Sequence, residues 1–133
     1  MKTKLFIALF CIATTTVFAQ NPVVNEQLIG RWELCTPDGK VMETPNVRQK
    51  IYTKNSYVVL EVNKKDSVTV VDFIGTLTAV SEDKITERPI YSNFGIKNML
   101  TRDFNFYYRI EGDRLYLNGI DNSFNEVWVK VSE

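Results

Sequence analysis

The chain has 133 residues, with 16 basic and 16 acidic side chains and no histidine. Balanced, interspersed charge offers no basic face for nucleic acid or an anionic membrane. The absence of histidine removes the commonest general base and the commonest transition-metal ligand, so no catalytic residue, metal site or cofactor is assigned and the chain is read as a non-enzyme.

The first nineteen residues carry the three parts of a secretory signal peptide. Lys2 and Lys4 give a positive start, residues 5 to 13 an apolar run, and Val17-Phe18-Ala19 the small residues flanking a cleavage point. The apolar run is far shorter than the roughly 20 residues that span a bilayer. Cys11 offers one alternative, lipidation, but Phe10 precedes it where lipoprotein-type cleavage needs a small residue. Cleavage after Ala19 leaves 114 of the 133 residues, from Gln20 to Glu133, as a single domain with 14 basic and 16 acidic residues. Its destination is expected to be the periplasm or the cell exterior. Only Cys35 remains in it, so no internal disulfide supports the fold.

Asn21-Pro22 is a helix start, and a short helix is expected over residues 22 to 28, ended by Gly30. From there the hydrophobic period changes to two. Trp32 and Leu34 alternate with charges in the first strand, and Pro37-Asp38-Gly39 makes a turn. A second strand covers residues 47 to 53, a third 56 to 62, and a long fourth 68 to 80 with Gly75 marking a bulge or bend. A fifth, residues 84 to 88, is expected to stop at Pro89. Residues 90 to 102 are irregular. Phe104, Phe106, Tyr108 and Ile110 then alternate with polar residues, Gly112-Asp113 turns, Leu115 and Leu117 continue the pattern, and residues 118 to 123 read as a polar loop. The last strand is residues 126 to 131. About eight strands joined mainly by tight turns are antiparallel neighbours. Closing them into an all-β, up-and-down barrel removes two exposed edges. A two-sheet sandwich is the alternative.

Gly30-Arg31-Trp32 opens the first strand just after the short helix. This placement resembles the Gly-x-Trp signature of lipocalins, fatty-acid-binding proteins and avidins. The strand spacing, Gly75-Thr76, the Glu87 strand and the closing Glu126-Val127-Trp128-Val129-Lys130 extend the resemblance over residues 20 to 133, to a group of small secreted lipocalin-like bacterial proteins of the calycin type. The resemblance implies a barrel and a binding role, not a reaction. It implies that Gly30 and Trp32 close one end of the barrel. It also implies that Lys130, a lysine where lipocalins usually carry arginine, is the basic partner of Trp32.

Glu33, Glu87 and Glu126 are the strand carboxylates, and the wet face of a strand is their default place. Tyr52, Tyr57, Phe73, Phe104, Phe106, Tyr108 and Trp128 are spread over several strands, in a barrel some must face inward, and Arg48 or Arg109 could supply a polar group. Tyr52, Phe73, Glu87, Phe106, Tyr108 and Arg109 are the expected ligand-binding residues, since pockets are mostly apolar with a few placed polar groups. Two functions are compatible with this. One is a binding protein holding a small apolar or amphipathic ligand. The other is a structural or interaction protein of the cell envelope whose barrel is filled by side chains. An interior void of about 300 Å³ or more separates them. No protein partner is indicated.

Overall fold

The computed structural model describes residues 25–95, 97–100 and 102–132. The expected signal peptide (1–19), Cys11 and the start of the expected helix lie outside them. Where that helix is described, residues 26–28 form a turn, with Leu28 N–H bonded to the Asn25 carbonyl at 2.9 Å.

Eight strands follow: β1 (Gly30–Leu34), β2 (Asn46–Tyr52), β3 (Ser56–Asn63), β4 (Thr69–Val80), β5 (Lys84–Ser92), β6 (Phe104–Glu111), β7 (Arg114–Ile120) and β8 (Asn125–Lys130). They form a closed barrel in sequence order, every neighbour antiparallel, and β1 pairs with β8 through Trp32 opposite Lys130 and Leu34 opposite Trp128. The all-β barrel is therefore observed rather than the sandwich. A 3-10 turn, Lys97–Met99, lies between β5 and β6.

Two strand boundaries differ from expectation. β5 runs through Pro89 to Ser92 because it pairs with β6 only over Lys84 to Glu87. Beyond Glu87 its second edge has no strand partner, and proline is tolerated on such an edge. The register against β4 shifts there, with Gly75 opposite Pro89 and Ile74 opposite Tyr91. β7 continues to Ile120, so residues 118 to 120 are strand and the loop is confined to residues 121–124.

Alternation sorts the side chains. Trp32, Lys50, Tyr52, Tyr57, Val59, Ile85, Phe106, Tyr108, Leu115, Leu117 and Trp128 are all buried in one interior. One end is closed by the residues leading into β1. Trp32 is 1% exposed, and its indole N–H donates to the Leu28 carbonyl at 2.8 Å. Lys130 Nζ stands 4.5 Å from the Trp32 ring centroid and donates to the Ile29 carbonyl at 2.6 Å. Gly30 has φ 134°, and a Cβ there would come within 2.7 Å of Lys130 Nζ. Tyr108 OH donates to the Ser81 carbonyl at 2.7 Å and accepts from Asn25 Nδ2 at 3.3 Å, tying the incoming chain to the β4–β5 turn.

The outer face of β1 and β2 is also partly covered. Glu33 is buried there, not in the interior, and accepts from Lys64 Nζ at 2.7 Å and Gln49 Nε2 at 3.1 Å. Cys35 is a buried free thiol beside it. Burial is the main cause pushing that thiol up, which keeps it in the unreactive protonated form.

Near the other end, β3 and β4 are joined through a bulge. Val59 faces Phe73 and Leu60 faces Val71, leaving Asp72 as the extra residue. Asp72 is buried, with Arg48 NH2 3.4 Å from its carboxylate. Burial pushes its carboxyl up more strongly than the Arg48 charge lowers it. A carboxyl raised above its unfolded value opposes folding once ionised, and the cost disappears as pH falls below the unfolded value. Asp72→Asn is therefore expected to be more stable than wild type at pH 7, by about 1 kcal/mol or less. The gap should close toward pH 3 in thermal melts. A variant less stable at pH 7 overturns this.

Candidate functional site

At the end opposite Trp32 the interior is not filled. A cavity of about 350 Å³ opens there, walled by Val59, Phe73, Pro89, Phe94, Met99, Phe104, Phe106 and Phe124. Its polar groups are Arg48, Lys50, Tyr57, Glu87 and Glu126, with Trp128 beside them. Phe94 and Phe124 come from the β5–β6 and β7–β8 loops and are partly exposed at the mouth. Phe94 packs on Phe73 at 5.6 Å between ring centroids, and Phe124 packs edge-on to Phe104 at 5.9 Å.

The floor is built around a buried lysine. Lys50 Nζ donates to both Glu87 oxygens, at 3.0 and 3.3 Å, and lies 3.9 Å from Glu126 Oε2. Four rings surround the ammonium: Trp128 at 5.0 Å, Tyr52 at 5.5 Å, Tyr57 at 5.7 Å and Phe106 at 5.8 Å from their centroids. A cation is well placed over such faces, and desolvation strengthens the attraction. Tyr52 OH donates to Glu87 Oε1 by a short hydrogen bond, and Trp128 Nε1 donates to Glu126 Oε2 at 3.0 Å. Burial first, then the Glu87 charge and hydrogen bond, push the Tyr52 phenol well up. Burial and the Glu87 charge do the same to Tyr57. Both phenols therefore stay protonated.

Parity explains the assembly. Tyr52 faces inward, so Lys50 and Arg48, two and four residues before it on β2, share its side. Trp128 and Glu126 hold the same relation on β8. Tyr57 is held by Gly75 across the β3–β4 ladder. A Cβ at Gly75 would collide with Tyr57 Cε1 and stand 2.6 Å from the Arg88 carbonyl oxygen. Gly75→Ala is expected to cost about 1–3 kcal/mol through this overpacking. A chemical-denaturation midpoint equal to that of wild type would show that Tyr57 is free to move aside.

Of the expected ligand-binding residues, Phe73, Glu87 and Phe106 line the cavity. Tyr52 is buried beneath it and reaches it only through Glu87. Tyr108 lies at the closed end, where the Asn25 and Ser81 contacts occupy its hydroxyl. Arg109 points out of the barrel, because it alternates with Tyr108. Its guanidinium stacks 3.8 Å from the Tyr116 ring centroid and its Nε donates to Glu111 at 2.8 Å. Gly30, Trp32 and Lys130 are together at the closed end, away from the cavity. Tyr57, Phe104 and Trp128, three of the aromatics spread over the strands, also line the cavity, as does Arg48, whereas Lys50, Phe94 and Phe124 were not expected in the site. Inward parity with Tyr52 was the available signal for Lys50.

Among the described residues no group of three carboxylate or thiol side chains is arranged to hold a metal ion. No protein-family model and no curated protein matches this chain.

Proposed function

We propose that this is an exported, non-enzymatic, lipocalin-like binding protein that holds one small amphipathic molecule in the open end of its barrel. The observation that carries the reading is the cavity of about 350 Å³, with aromatic walls and a floor of Lys50, Glu87 and Glu126. It falls within the range of about 300–1,000 Å³ typical of small-molecule sites, and it has their composition, apolar walls with a few polar groups. It weighs against the alternative of a barrel filled by side chains. The Gly-x-Trp placement and the signal-like first nineteen residues support the lipocalin-like and exported parts of the proposal.

Titration with the neutral fluorophore N-phenylnaphthylamine tests the binding reading. A saturable rise in emission is expected for the wild type and a loss of it in Val59→Trp, which fills the cavity. Circular dichroism verifies that the variant folds. No rise in the wild type, or an equal rise in a folded Val59→Trp, overturns the reading. Native mass spectrometry of protein purified from its source identifies any co-purified molecule. N-terminal sequencing of exported material should begin at Gln20, and a lipid-bearing start at Cys11 would overturn the export route.

A further inference from the structure

The polar floor of the cavity is not electrically balanced. Lys50 is taken up by both oxygens of Glu87. Arg48 at the rim stands against Asp72. Glu126 is then the carboxylate in excess. Its Oε2 accepts from the Trp128 indole and lies 3.9 Å from Lys50. Its Oε1 has no hydrogen-bond partner among the described residues, and with a side chain 24% exposed it is reachable from the cavity.

A second group faces the same space independently. Tyr57 is 3% exposed and lines the cavity, yet its hydroxyl makes no hydrogen bond to any described residue. No fully enclosed side-chain oxygen or nitrogen lacks a partner among the described residues, so this hydroxyl opens onto the void rather than into packed protein. Leaving such a group unmatched inside a barrel is costly unless water or a ligand meets it.

From these two observations we infer that the ligand is a small organic cation, an ammonium on an aromatic or aliphatic body. The ammonium donates to Glu126 Oε1 and to the Tyr57 oxygen, and the body lies among Phe73, Phe104 and Phe106. The excess carboxylate supplies the countercharge that a buried cation needs. The rings of Phe73 and Phe104, which line the cavity and are not among the four around Lys50, offer faces for the ammonium that give a neutral ligand no such attraction. An anionic ligand meets the opposite conditions, since Glu87 already neutralises Lys50 and Glu126 repels a second carboxylate. The inference rests on the binding reading above and specifies the ligand of the same site.

Three probes of one shape and different charge test it: tryptamine, tryptophol and indoleacetate, titrated by calorimetry into the wild-type protein at neutral pH. Tryptamine is expected to bind at least tenfold tighter than tryptophol, and indoleacetate weakest. Glu126→Gln keeps an acceptor for Trp128 while removing the charge. In it the preference for tryptamine over tryptophol should fall to less than about threefold. Equal binding of tryptamine and tryptophol to the wild type, tighter binding of indoleacetate, or an undiminished preference in Glu126→Gln overturns the cation inference and leaves the binding reading standing. Failure of all three probes, together with no response to N-phenylnaphthylamine, overturns both.

Discussion

Trp32→Ala is expected to lose about 3–5 kcal/mol of stability in urea denaturation, the range for removing a large aromatic from a core. Trp32 is 1% exposed at the closed end of the barrel. It contacts elements far apart in sequence: the Leu28 carbonyl just before β1 and the Lys130 ammonium at the end of β8. Barrel walls on every side are hydrogen-bonded to their neighbours, so they cannot collapse into the space left behind. The truncation also leaves the Leu28 carbonyl without its indole donor and takes away the ring beneath Lys130. Such a loss is a large part of the ~5–15 kcal/mol that holds a typical domain together. A variant within about 1 kcal/mol of wild type would show that Trp32 does not plug the barrel.

Lys50→Met is expected to cost a similar amount, about 3–5 kcal/mol, for a different reason. Removing one partner of a buried ion pair strands the other charge in a poorly solvated place. Glu87, itself buried, would keep only the Tyr52 hydroxyl. The double variant Lys50→Met/Glu87→Gln removes both charges of the buried pair, leaves only the partly exposed Glu126 with its Trp128 donor, and lets Tyr52 still donate to the amide oxygen. It is expected to recover at least half of the loss. The double-mutant cycle therefore separates the ion pair from the packing of the lysine stem. A double variant no more stable than Lys50→Met would place the loss in packing, and the floor would then not be held by charge.

Much of the barrel was legible in the chain because its signals are local. Period-two alternation and turn residues such as Pro37-Asp38-Gly39 and Gly112-Asp113 indicate about eight strands, and short connections make neighbours antiparallel. The boundaries that differ, Pro89 within β5 and residues 118 to 120 within β7, depend on which strand edges are paired. Pairing is set between strands, so a single strand does not reveal it. Within the site, Phe73, Glu87 and Phe106 were recoverable from alternation, and the same alternation already set Arg109 opposite Tyr108. Lys50 was overlooked because an isolated lysine in a strand is ordinarily solvated, although its parity with Tyr52 pointed inward.

The sequence alone was enough for about eight strands with antiparallel neighbours and for the inward side of strands such as β1 and β6, since these follow from steric preferences and hydrophobic burial within a few residues. Only closure of the barrel decided that Lys50, Glu87 and Glu126, carried by β2, β5 and β8, share one floor. It also decided that Phe94 and Phe124, from loops with no regular pattern, reach the same mouth. Those meetings depend on the register and circumference of the whole sheet. Charges that look solvated one strand at a time become a buried cluster when the last strand pairs with the first.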